Sequence, residues 1–404
     1  MSPTTVLLGF AEALAAPEVV WSLVDEGFRV VAFARRGRHS ALRHSRHVEC
    51  HEICPPESDL KAAISELQSL MNSVGAEPDG AQRILFPLDD KAVWLGSRVK
   101  LEQDWLLAGP SGTNAELALN KCIQIQMARD AGFDVPKTLI ARTADEVATF
   151  SASQSFPIIL KAAACVPILQ GRVHSCRKWI CANSAELKSA LSEWGERVPL
   201  LVQPFVVGTG EGVFGLAARD GIRAWSAHRR LRMMNPQGSG SSACVSQQVP
   251  EDLKPKVEEF IGRSNWRGMF MFELLRDTAG RAWFVEFNGR PWGSMSLSRR
   301  QGLEYPAWQV KLELDQESRA GLEPTSDAGV VCRHVGREFM HLLFVLRGPK
   351  SKALSAWPSF WKTVREVFHV RRGDTVYNWR REDPKVFIAD CCCTISDNLF
   401  KSRA

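Results

Sequence analysis

The sequence has no apolar run long enough to span a bilayer, no internal repeat and no low-complexity segment. Its opening residues, Met1 to Phe10, lack the charged segment of a secretory signal, and no cleavage pattern follows. Eleven cysteines form no paired framework; the run Cys391-Cys392-Cys393 lies on an apolar stretch and reads as buried thiols. A reducing cytoplasm is therefore expected. Excess charge is scarce as well. A net charge of +6 over 404 residues suits anionic small molecules and gives no ground for a nucleic-acid or membrane partner. A GxGxxG turn is missing after the first apolar strand, where only Gly9 stands, and the second strand ends in Arg35-Arg36-Gly37-Arg38 instead of an acid. A dinucleotide site is weakly supported there, and the basic run reads as a solvated loop.

What is present fits an ordinary globular chain of two or three domains, with 45% apolar and 24% charged residues. Residues 4–10 predict a strand, 11–26 a helix closed by Gly27, and 28–33 a second strand. This βαβ opening predicts a parallel sheet. Residues 59–72 read as a helix, and 83–87 as a strand leading into Asp89-Asp90. The domain is expected to end near Gly109-Pro110-Ser111-Gly112. His47, Cys50, His51 and Cys54 have types that bind zinc. Their crowding into eight residues is unlike a site drawn from two separated knuckles, and on a strand His47 and Cys50 point apart.

From 113 the texture changes. One amphipathic helix is expected over 115–131, carrying Lys121. Phe156–Ala162 reads as a buried strand ending in Lys161, a lysine that either snorkels or faces an anion. Strands are expected at 200–207, 213–218 and 222–227, the last two joined across Arg219-Asp220-Gly221. Alternation then puts His228, Arg230 and Arg232 on one face, beside the small-residue loop 238–242, a combination suited to anions.

The organising stretch is 270–293. Two apolar runs, 269–275 and 282–287, flank a polar break and predict an antiparallel hairpin. Each carries one carboxylate, Glu273 and Glu286, and Asn288 shares the Glu286 face, with Arg290 near the strand end. Buried carboxylates need a cation or hydrogen bonds. Two glutamates and an amide oxygen are hard ligands of the kind that hold Mg²⁺ beside phosphates, with Arg290 matched to the same phosphates. Taken alone, a hairpin with salt-bridged edge acids is the better reading of these residues, and the rest of the chain shifts the balance. In the tail, 337–346 and 360–370 read as helices, and Trp357, Trp361, Tyr377 and Trp379 as packing residues.

Taken in order, GFDVPKT (132–138), FPIILKA (156–162), LVQPFVVGTGEGV (201–213), AHRRLR (227–232) and VEFNGRPWGS (285–294) resemble the ATP-grasp superfamily over residues 113–315, nearest its carboxylate–amine ligase-like branch. The resemblance implies an α/β protein, α+β in its core. The expected parts are a Rossmann-like pre-ATP-grasp domain (1–112), a small subdomain (113–200), a large subdomain (201–327) and a C-terminal extension packed on the core (328–404). It implies ATP and Mg²⁺ as cofactors. Lys121 and Lys161 would touch the phosphates, and Gln203, Pro204, Phe205 and Val206 would form the adenine hinge, with main-chain groups of Pro204 and Val206 reading the base. Glu211 would accept from the ribose. Glu273, Glu286 and Asn288 would hold the metal, Arg290 would meet the phosphates, and His228, Arg230 and Arg232 would hold substrate or an acyl phosphate. One departure stands out. Members often carry a glycine-rich lid after the strand-end lysine, whereas residues 162–172 here contain only Gly171.

The implied activity is ligation of a small carboxylate to a small amine through an acyl phosphate, releasing ADP and phosphate. Homodimers are common in that family. A non-catalytic nucleotide-binding regulator, or a phosphotransferase acting on a hydroxyl, are the other readings of the same features.

Overall fold

The computed structural model describes residues 3–74, 82–238, 240–316, 322–324, 328–349 and 357–400. Ser239 of the small-residue loop and the expected boundary at 327 lie outside them. Five parallel strands, β1 (Thr5–Gly9), β2 (Arg29–Arg35), β3 (Val48–Ile53), β4 (Arg83–Pro87) and β5 (Trp105–Leu107), form the first sheet in the order β3-β2-β1-β4-β5. Strands β1 and β4 are buried along their length, which is why they read as unbroken apolar runs. Helix Ala16–Asp25 starts later than the apolar pattern predicts, because Pro17 seats the first turn there. The preceding residues Ala13 and Leu14 are thereby left in a loop.

A smaller antiparallel sheet follows. It contains β6 (Leu139–Ala141) and β7 (Ile158–Ala162); after a two-stranded excursion, β8 (Ile168–Leu169) and β9 (Arg172–Val173), come β10 (Trp179–Cys181) and β11 (Leu200–Pro204). Its order is β10-β7-β11-β6. Since β11 pairs with both β7 and β6, this sheet runs to Pro204, and the expected division at 200 moves to the 205–208 connection.

The predicted single helix over 115–131 is two helices, Gly112–Leu119 and Lys121–Asp130. Asn120 breaks it: its side chain accepts from the amides of Cys122 and Ile123, a capping geometry that needs extended backbone at that residue. Lys121 thus sits on a first turn, and its amide donates to the Ala163 carbonyl at 3.1 Å.

The large sheet holds β12 (Thr209–Ala218), β13 (Gly221–Met233), β14 (Ser241–Gln247), β15 (Gly268–Arg276), β16 (Ala282–Asn288), β17 (Val331–Arg333) and β18 (Thr375–Val376), ordered β16-β15-β12-β13-β14-β17-β18. One face buries Phe270, Phe272, Leu274 and Phe284 against helix Lys254–Arg263 and the helix that begins at Lys121. The C-terminal extension is part of this sheet through its last two strands. It also reaches the first domain, where Asp383 accepts from Trp21 Nε1 at 3.3 Å and the Asn378 amide donates to Glu18 at 3.1 Å.

Two expectations about the extension need correction. Tyr377 is buried, but Trp361 is 78% exposed and Trp379 43% exposed, so these tryptophans do not both pack on the body. Cys391-Cys392-Cys393 lie on helix Pro384–Phe400, whose successive side chains splay by about 100°; Cys392 is exposed as a result. Among the described residues no helix is long and apolar enough to cross a membrane.

Candidate active site

Strand pairing places Glu273 of β15 directly opposite Glu286 of β16. Like charges in that position repel, so the site depends on what lies above them. Arg230, from β13, reaches Glu273 at 2.9 Å, and Lys121 reaches Glu286 at 3.4 Å. Burial alone pushes the Glu273 carboxyl up, yet Arg230, with Lys161 and Lys178, holds it below the usual range. Glu286 behaves the same way under Lys121 and Lys161. Both acids therefore stay ionised.

The lysines are not equivalent. Glu286 outweighs burial at Lys121 and raises it. For Lys161, burial and then the Lys121 charge prevail and push it down to about 8. Four cations, Lys121, Lys161, Lys178 and Arg230, around two carboxylates leave cationic character to spare, which a polyanion would absorb. Both lysines, with Lys91 and Lys178, line a cavity of about 400 Å³ that ends on Glu273 and Glu286.

A second cavity, about 560 Å³, opens on the other side of Glu273. Its apolar wall comes from Ile159, Phe205, Val206, Leu275 and Val285, and Gly208 to Gly210 form its floor. Val285 enters it because the ladder shifts register after Glu273, a bulge that turns this residue out of the core. A third cavity, about 380 Å³, lies against the first domain at Ala13, Leu14 and Asp89 and is walled by His228, Arg230, Asn288, Arg290 and Arg337. Glu273 borders all three cavities, and Arg230 the second and third.

Of the residues singled out in the sequence, Lys121, Lys161, Glu273, Glu286, Asn288, Arg230, Arg290 and His228 converge here. Asn288 is buried with its amide nitrogen toward Met271 Sδ (3.9 Å), and it lines the third cavity together with Glu273 and Glu286. Two carboxylates and an amide oxygen are a hard donor set that fits Mg²⁺. Arg290 is held by Asp90 of the first domain, at 2.7 and 3.3 Å, an ion pair across the domain boundary. His228 donates to or accepts from Ser294 at 2.9 Å, and burial, followed by the Arg230 charge, pushes it down to about 3. A neutral imidazole at about pH 7 can orient Ser294 through this hydrogen bond.

Other residues fall elsewhere. Glu211 alternates to the opposite face of the sheet from Gly210 and Gly212, is buried, and pairs with Arg276 at 2.9 Å. It lines none of the three cavities, so the structure does not support a ribose contact. Gln203 is turned toward Thr138, to which its amide donates at 2.8 Å. Neither it nor Pro204 lines the apolar cavity; the lining begins at Phe205. Arg232 borders that cavity but is committed to Glu338 of the C-terminal extension at 2.6 Å.

The glycine-poor segment after Lys161 is the β8–β9 hairpin, turned at Gln170 and Gly171, both with positive φ. Val166 and Val173 pack on Leu60, and the Val173 amide donates to the Pro56 carbonyl at 2.8 Å. This hairpin is seated on the first domain by apolar contact.

Sequence reasoning missed Lys178 and Gln124. Lys178 donates to the Gly238 carbonyl at 3.0 Å and so links the small sheet to the loop after β13. Gln124, buried, donates to the Phe287 carbonyl and accepts from the Phe287 amide, at 2.9 and 3.1 Å. It supplies the pairing that edge strand β16 lacks on that side, next to Glu286. A polar residue inside an apolar helix face was the available signal.

Three sheets in this arrangement give the chain the ATP-grasp fold. Solved structures similar to this chain include the biotin carboxylase domain of 2-oxoglutarate carboxylase from Hydrogenobacter thermophilus, in complex with MgADP, ADP and bicarbonate. That match has TM-score 0.60 and 16% identity, over 80% of this chain and 72% of that one. An L-amino acid ligase from Bacillus licheniformis matches with TM-score 0.59 and 14% identity, over 80% and 78%. N5-carboxyaminoimidazole synthetase from Staphylococcus aureus, complexed with ADP, matches with TM-score 0.56 and 11% identity, over 80% and 79%. No family model and no curated protein sequence matches the chain.

Proposed function

We propose that this chain is an ATP-dependent ligase joining a small-molecule carboxylate to an amine, with ADP and phosphate as products. The observation that carries the reading is the meeting of Lys121, Lys161, Glu273 and Glu286 at one cavity between two sheets. Adjoining it are an apolar cavity that suits a base and a cation-lined cavity that suits a carboxylate.

A carboxylate is a poor electrophile because its leaving group would be an oxide; transfer of a phosphoryl group makes it an acyl phosphate that an amine can attack. The protein's task is positioning and charge neutralisation. Ile159, Phe205, Val206 and Val285 would sandwich adenine. Lys121, Lys161 and Lys178 would offset phosphate charge. Glu273, Glu286 and Asn288 would hold Mg²⁺, which supplies further neutralisation at the transferring group. Arg230, between the apolar and the cation-lined cavities, would hold the substrate carboxylate in line. The hairpin seated on the first domain would keep water from the activated substrate.

The test is ADP release by the purified chain across a panel of carboxylates and amines. Release should require one of each, and Glu286→Gln should abolish it with the fold kept. Accumulation of AMP would contradict an acyl phosphate.

A further inference from the structure

The C-terminal extension carries a surface that the ligase reading leaves unused. Helix Phe360–Phe368 buries Thr363 and half-buries Val364 and Val367 against the body. Its opposite side presents Trp361, Arg365 and Phe368, spaced four and then three residues apart and so aligned in one stripe. Trp361 is 78% exposed and Phe368 74%; Val370, just beyond the helix, is 70% exposed. Tryptophan and phenylalanine left this bare in a row are unusual on a soluble surface.

The segment is fixed in place. Arg333 of β17 donates to the carbonyls of Val367 and His369 at 3.0 and 2.9 Å and to Asp374 at 2.8 Å, tying the helix end to the large sheet. Trp357 Nε1 donates to the Val345 carbonyl at 3.0 Å, which anchors the approach to the helix. The stripe is thus a rigid feature of the folded body.

Charge selects the occupant. Lys362, Arg365, Arg371 and Arg372 lie beside the apolar stripe in the chain and are exposed; among the described residues 357–374 the one exposed acid is Glu366, and Asp374 is paired with Arg333. A second copy of the chain would bring two such cationic rims together and be repelled. Bulky aromatics flanked by basic side chains have the chemistry of the interfacial layer, where rings sit among headgroups and lysine and arginine reach the lipid phosphates.

We propose that the face formed by Trp361, Phe368 and Val370 docks on an anionic lipid surface as a peripheral contact. This goes beyond the ligase reading and revises the expectation, from net charge, of no membrane partner. No span is involved.

The test is co-sedimentation of the full chain with vesicles of phosphatidylcholine alone or with about a third phosphatidylserine. The chain should pellet with the anionic vesicles only, and leave them as salt rises. The double variant Trp361→Glu/Phe368→Glu should lose binding by about tenfold or more, as should Arg365→Glu/Arg371→Glu. Circular dichroism and the unfolding midpoint should be nearly unchanged, since these side chains are largely exposed and the ring contact of Trp361 is with its helix neighbour Phe360. A wild-type chain that stays in the supernatant with anionic vesicles overturns the proposal, as does undiminished binding by both double variants. Self-association in sedimentation velocity that Trp361→Glu abolishes would also overturn it, assigning the face to a second copy.

Discussion

Glu273 and Glu286 stand opposite each other across the β15–β16 ladder, and each faces a cation delivered by a different part of the chain: Arg230 at 2.9 Å and Lys121 at 3.4 Å. The pairing is what allows two half-buried acids to stay charged. It also means that any cation entering between them must displace or share existing partners.

Removing one acid exposes that dependence. Glu286→Gln leaves the half-buried Lys121 without its carboxylate partner and should cost about 1–3 kcal/mol of stability without nucleotide. Adding Lys121→Met should recover part of the loss, because the orphaned charge goes with it. Denaturant titration of the wild type and these two variants measures this.

Gln124→Leu tests the positioning of β16. The Phe287 amide and carbonyl lose their partner in an apolar setting, for an expected cost of about 2–3 kcal/mol. Hydrogen exchange at Phe287 should accelerate, and ADP release should fall even at temperatures where the variant is fully folded.

Lys161 gives the site a pH signature. Its folded value of about 8 lies below that of a free lysine, so its burial cost is borne in full below pH ~8 and relieved as it deprotonates. Apo stability should therefore gain from this group between about pH 8 and 10.5. Nucleotide binding needs the protonated form, so affinity should weaken as pH rises through ~8, and Lys161→Met should flatten that limb. Calorimetry across the range distinguishes the two trends.

How far the sequence discloses the molecule depends on the range of the interaction. The alternation of β15 and β16 puts Glu286 and Asn288 on one face and is visible in seven consecutive residues. Strands β1, β2 and β4 of the first sheet are visible as apolar runs, whereas β3, alternating polar and charged residues, and the three-residue β5 are not. The ribose role of Glu211 comes from the family resemblance alone; in the fold residues 209–213 are strand and Glu211 pairs with Arg276 away from the cavities. Its partner Arg276 lies 65 positions away. The break at Asn120 was hidden by a continuous apolar period on both sides. Asp90 and Arg290, 200 positions apart, could be related only by the fold.

Glu211→Gln separates the two roles considered for that residue. Its loss should lower the unfolding midpoint by freeing Arg276, while leaving the KM for ATP within about twofold. A large rise in KM with unchanged stability would return it to the nucleotide site.

His228 is expected to be silent in pH profiles. Buried and held near 3, it should contribute no limb to the rate between about pH 5 and 8. His228→Asn should lower the rate by disturbing Ser294, with the shape of the profile retained.

The most direct test of the central claim is a crystal structure with ADP and Mn²⁺, located by its anomalous signal. The account predicts the metal peak between Glu273 and Glu286, with the diphosphate within reach of Lys121 and Lys161 and the base against Phe205 and Val206. A nucleotide seated elsewhere, with those four charged side chains keeping only each other, would contradict it.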